Sequence, residues 1–173
     1  MTAMAPQEVA DAVVARYPGV VPTASWGETS LFVNPGGQLP RGVYFCTLKD
    51  HDGANDRASR LDRDGVYRLA LGLPPGAYAQ RFGARPARPP KGGVVATGHD
   101  FTQLNVLMPH PVYAWMGWVQ LLSPSREAFN ALLPLLDAAY AAATAACAPR
   151  SRAATRRAQA AVAARDRGAG VRH

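Results

Sequence analysis

Only two cysteines occur in the 173 residues, Cys46 and Cys147. That excludes the disulfide framework of small secreted domains, and no zinc-ligand spacing is present. Cys46 lies in the pattern Tyr44-Phe45-Cys46-Thr47, which predicts a strand and a buried thiol, without the exposure or neighbouring base a nucleophile needs. No apolar run is long enough to cross a bilayer. The first twenty residues hold Glu8 and Asp11 and lack the basic-then-apolar order of a secretory signal. The expectation is a reduced, cytoplasmic protein with no membrane partner. Gly-x-Ser-x-Gly, a phosphate loop and a dinucleotide glycine pattern are all missing. Nothing in the sequence signals catalysis, a cofactor or a metal.

Charge is also scarce where the apolar pattern is strongest. The net charge is +7. Residues 150–173 hold seven arginines and one aspartate, hence +6, which leaves twelve basic and eleven acidic groups, hence +1, in 1–149. Basicity belongs to the tail, which weakens any argument that the body alone is a nucleic-acid binder.

What is present is a run of apolar segments with clear punctuation. Pro6 opens a helical pattern with Ala10, Val13, Val14 and Tyr17, ended by Pro18-Gly19. Thr29–Val33 and Val43–Leu48 read as two strands of a hairpin with a long, mobile loop around Asn34-Pro35-Gly36-Gly37. Residues 50–64 interleave opposite charges, as a solvated, ion-paired loop does. Val66–Leu71 reads as a strand, Gly76–Phe82 as a short helix, 83–93 as a stiff Pro-rich loop, and Val94-Val95 as a strand fragment. Residues 113–122 hold two of the three tryptophans and predict a strand at the centre of the sheet, apolar on both faces. Ser123-Pro124 is read as the cap of a last helix to about Ala146, striped by Phe129, Leu132, Leu136 and Tyr140 and kinked by Pro134. The tail has no apolar stripe and is expected to be frayed or disordered.

The order of these elements resembles the MmcQ/YjbR-like proteins, small bacterial domains with a CyaY-like fold. The matching pieces are Tyr17-Pro18-Gly19, Trp26-Gly27, Val66–Leu71, and His110-Pro111-Val112-Tyr113 through Trp118-Val119 followed by Leu132–Tyr140. A more specific resemblance is to an uncharacterised bacterial domain family of unknown function. Its segments are present here as Phe45–Thr47, Asn55–Ser59, Gly65–Arg68 and Met108–Tyr113. The resemblance implies an α+β, two-layer fold: an antiparallel sheet with the N- and C-terminal helices on one face. The domain would span 5–148, and 149–173 would be a flexible basic tail. The wider group is described, from fold comparison, as DNA-binding. With only Glu8 and Asp11 acidic in the first helix, a frataxin-like iron site is not implied.

The functional expectation is a non-catalytic binding or regulatory protein. One site would place Arg85, Arg88 and Lys91, with Arg150, Arg152, Arg156 and Arg157, against nucleic-acid phosphates; such binding is salt-dependent and non-specific. The alternative is a small-molecule pocket bounded by Trp26, Glu28, His110, Tyr113 and Trp115. A third reading is an interaction module, with the Ala-rich end of the last helix against another subunit. Asp50, Asp52 and Asp56 with His51 lack calcium-loop spacing, and the interleaved arginines favour ion pairs over a metal.

Overall fold

Pro6 stands at the first turn of α1 (Pro6–Arg16), and Glu8 reaches back to accept the Ala5 N–H at 2.7 Å, satisfying a donor the helix start leaves open. In the computed structural model, which describes residues 1–25 and 27–169, six strands follow. They are β1 (Val20–Ser25), β2 (Glu28–Val33), β3 (Val43–Lys49), β4 (Arg68–Gly72), β5 (Leu107–Pro109) and β6 (Trp118–Leu122). Helix α2 (Pro75–Phe82) follows β4, and α3 (Arg126–Ala169) ends the described chain. The protein is α+β: one open antiparallel sheet in the order β1-β2-β3-β4-β6-β5, with α1 and α3 on one face.

Strand alternation builds that face. Leu31, Cys46, Leu69, Leu71, Val119 and Leu121 are fully or almost fully buried beneath the helices. Each such leucine contributes roughly 1.5–3 kcal/mol by burial. A bulge in the β2–β3 pairing follows Leu31 and brings Phe45 onto this side too. Phe45 meets Tyr17 at 5.9 Å and Tyr140 at 6.0 Å, and the two tyrosines stack at 4.8 Å. Arg16 and the Tyr17 hydroxyl both donate to Asp137, fastening the end of α1 to α3. From α3, Phe129, Leu132, Leu136, Ala139, Ala143 and Cys147 bury their side chains.

Several sequence expectations are corrected. The strand expected over 113–122 begins only at Trp118; Ala114–Met116, with Trp115, forms a 3-10 turn. The cause is Gly117, at φ 90°, where a Cβ would stand 2.7 Å from the Leu73 carbonyl oxygen. β6 is the penultimate strand, between β4 and the three-residue edge strand β5, and β3 and β4 take the centre. Ser123 is no helix cap. It pairs with Tyr67, and Ser125 Oγ accepts the Ala128 N–H instead. The 34–42 loop is tied across itself by the Asn34 carboxamide, which holds both the N–H and the carbonyl of Leu39. Val20–Ser25, not read as a strand, pairs with β2 along its whole length. Residues 150–169, expected to fray, continue α3 because an alanine-rich run favours helix even where it buries little. By composition, α3 also contains a stretch apolar enough to cross a bilayer, but its apolar stripe is spent on the sheet.

Candidate functional site

The face of the sheet away from the helices begins with a charge. Arg68 points there from β4, 3% exposed, opposite Lys49 on one side and Leu122 on the other. A buried guanidinium requires a carboxylate. Asp56 supplies it, bonding Arg68 Nη1 at 3.0 Å and Nη2 as well, with Lys49 Nζ 3.6 Å away. Burial would raise the Asp56 carboxyl, but Arg68 outweighs it and, with smaller help from Lys49, holds it at about 2. The loop expected to be solvated is therefore folded onto the sheet. Ser59 Oγ donates to Gln120 Oε1 at 2.9 Å, and Gln120 Nε2 donates to the Phe101 carbonyl at 3.1 Å. Leu61 is fully buried against Val66 and Leu122. Asp52 accepts the Leu61 N–H, and Asp62 accepts the Asp52 N–H. The loop carboxylates thus serve internal donors, and among the described residues no three His, Cys, Asp or Glu groups converge as metal ligands.

His110 lies beside this pair, 2% exposed. Its Nδ1 accepts the N–H groups of Val112 at 3.1 Å and Tyr113 at 3.2 Å, which assigns the proton to Nε2. Burial, together with the charges of Arg68 and Lys49 against that of Asp56, pushes its pKa well below the ordinary value. A neutral histidine here shapes the turn. It holds the backbone that presents Tyr113 and Trp115, whose ring positions follow from the 3-10 turn.

Beyond that turn lies a cleft of about 280 Å³, lined by Asn55, Arg88, Lys91, Tyr113 and Trp115 among others. The Arg88 guanidinium sits over the Trp115 ring at 4.8 Å from its centroid, a cation–π contact. A second cleft of about 290 Å³ continues it past Asn55 and Val112. A larger groove of about 490 Å³ runs between α2 and α3, with Arg81 but no aromatic side chain on its wall.

The two sequence-derived sites thus meet. Arg88 and Lys91 from one and Tyr113 and Trp115 from the other line the same cleft. Arg85 stands outside it, against Gly117. His110 supports the wall without lining it, and Glu28 lies on the sheet face, where it accepts the Tyr44 hydroxyl at 3.4 Å. Trp26 lies outside the described residues. Arg150, Arg152, Arg156 and Arg157 are exposed on α3 beyond Cys147, whose thiol meets the Val33 carbonyl at the other end of the sheet from the Asp56–Arg68 pair. With 3.6 residues per turn, they surround the helix instead of sharing one face.

Asn55, Ser59, Arg68 and Gln120 are not site candidates in the sequence reading, and Asp56 enters it only as a metal ligand set aside for its spacing. The available signal was Arg68 itself, a cation inside an apolar strand pattern with a loop rich in aspartate just before it. Three segments quoted above, Asn55–Ser59, Gly65–Arg68 and Met108–Tyr113, converge on this one polar pair and the adjoining cleft.

A family of unknown function, DUF6194, matches residues 4–153. The chain belongs to DUF6194. The match covers every described strand of the sheet and α3 past the buried Cys147 by a few residues. No curated protein and no solved structure matches the chain.

Proposed function

We propose that this DUF6194 protein is a non-catalytic binding protein for nucleic acid, with the cleft beside Trp115 as its nucleotide-sized subsite. The observation that supports the reading is the Arg88–Trp115 stack at 4.8 Å within a cleft that also holds Lys91 and Tyr113. An aromatic ring beside two cations suits a planar base attached to a phosphate. Asn55 offers an amide to a base edge at the same wall. The exposed arginines of α3 would add long-range attraction without selecting a sequence. A cytoplasmic setting and kinship with MmcQ/YjbR-like domains belong to this proposal; the placement of both terminal helices on one face of the sheet favours the kinship.

The test is fluorescence anisotropy with labelled oligonucleotides at low salt. Trp115→Ala should weaken binding about 5- to 100-fold, the loss expected for one stacked base. Arg88→Ala should weaken it and reduce the slope of log K against log salt by about 0.7. If neither substitution changes the affinity, the cleft is not the site.

The second reading is a small anionic aromatic ligand, favoured by the cleft volume of about 280 Å³. Binding of a mononucleotide or an aromatic carboxylate, with no gain from lengthening to an oligonucleotide, would select it.

A further inference from the structure

The sheet face that carries Arg68 is closed by the 50–64 loop at one end and open at the other. At the open end, side chains form a row across the strands. Val21 pairs with Phe32, and Phe32 with Tyr44, in register. Trp118 of β6 lies over Gly72 of β4 and reaches Tyr44. Ring centroids are 5.3 Å apart for Phe32–Tyr44 and 5.2 Å for Tyr44–Trp118. Val21 is 46% exposed and Tyr44 42%, and Phe32 and Trp118 are half-buried. Core packing does not account for such a row, because α1 and α3 cover the opposite face.

Charge indicates what covers it. Arg85 lies against Gly117, next to Trp118, and Arg88 and Lys91 line the adjoining cleft. Among the described residues none of the three has a carboxylate within 4.0 Å. Glu28 bonds the Tyr44 hydroxyl, so negative charge is met on that side of the row. An occupant with flat apolar groups and one anionic edge fits, with its anions turned toward Arg85 and away from Glu28.

We propose that Phe32, Tyr44 and Trp118 are a stacking track for consecutive bases of single-stranded nucleic acid, with its phosphates along Arg85, Arg88 and Lys91. The inference rests on the reading above, in which the Trp115 cleft takes one nucleotide, and extends it to strandedness. A duplex keeps its bases stacked on each other and cannot use the track.

The probes are a labelled twelve-residue oligothymidylate, the same length of duplex, and a mononucleotide, each titrated into the full chain. The single strand should bind at least tenfold more tightly than the duplex. Tyr44→Ala and Trp118→Ala should each weaken it about 5- to 100-fold while leaving mononucleotide binding unchanged. Glu28→Gln should tighten it. Circular dichroism confirms that each variant is folded, and Tyr44→Leu, which removes the ring but keeps apolar volume, serves as a milder replacement if Tyr44→Ala is not. Equal affinity for single strand and duplex, or indifference to both aromatic substitutions while Arg88→Ala still acts, would overturn the track and leave the cleft reading standing. Absence of any binding, mononucleotide included, would end both. Light scattering that shows a dimer dispersed by Tyr44→Ala would instead make the row a self-association face and overturn the proposal.

Discussion

Arg68 and Asp56 show how one buried residue dictates the placement of another. With Arg68 3% exposed, removal of its carboxylate strands a positive charge in the interior. Asp56→Ala should therefore cost about 3–5 kcal/mol in urea unfolding. His110 gives a pH signature. Its folded pKa is lowered, so the neutral form is the stable one. Its contribution is complete above about pH 6.5, the ordinary histidine value, and is lost as the solution is acidified through that value toward the folded one. The Asp56 contribution falls later, between its ordinary value of 3.8 and about 2. His110→Asn, whose side-chain oxygen can still accept the Val112 and Tyr113 N–H groups, should flatten the loss of urea midpoint between pH 7.5 and pH 5.

At the level of elements, α3 is where sequence and structure diverge most instructively. Its apolar stripe was plain from Phe129 to Tyr140, because helical spacing is a property of the chain itself. The extension to Ala169 was not, because helix without burial rests on propensity alone, which patterning does not report. Cys147 is the last buried residue of α3 among those described, so amides beyond Pro149 should exchange with solvent far faster than those between Phe129 and Ala143. Pro134 is exposed within the helix interior, where it removes a hydrogen bond. Pro134→Ala should raise stability by up to about 3 kcal/mol, read as a higher melting temperature. The aromatic segment departs from its sequence pattern for the opposite reason. Apolar side chains recur on both faces of an extended chain through Tyr113–Leu122, while the turn is set by Gly117 meeting the Leu73 carbonyl, a contact no local pattern contains.

For the molecule as a whole, the sheet divides two tasks between its faces. One is sealed by α1 and α3 and supplies stability. The other carries the polar pair, the cleft and the open aromatic row. The class of fold was legible because apolar strand and helix patterns such as Thr29–Val33, Val66–Leu71 and Phe129–Tyr140 are separated by turns marked by Gly, Pro or Asn. The candidate site was legible only as two fragments, one cationic and one aromatic, because what joins them is a loop folded back through Asp56. Charge is divided as well, with most of the excess on the α3 extension. Replacing Arg150, Arg152, Arg156 and Arg157 by alanine should therefore reduce affinity for every polyanion alike and lessen its salt dependence, without altering preference among them. The ratio of oligothymidylate to heparin affinity before and after replacement measures this.

Gly72 gives the open face an adjustment point. A β-carbon there would stand 3.1–3.2 Å from three atoms of the Trp118 indole. A single methyl, introduced as Gly72→Ala, would act as a shim beneath the ring. It would tilt the indole outward and change its emission while leaving every aromatic side chain of the face in the sequence.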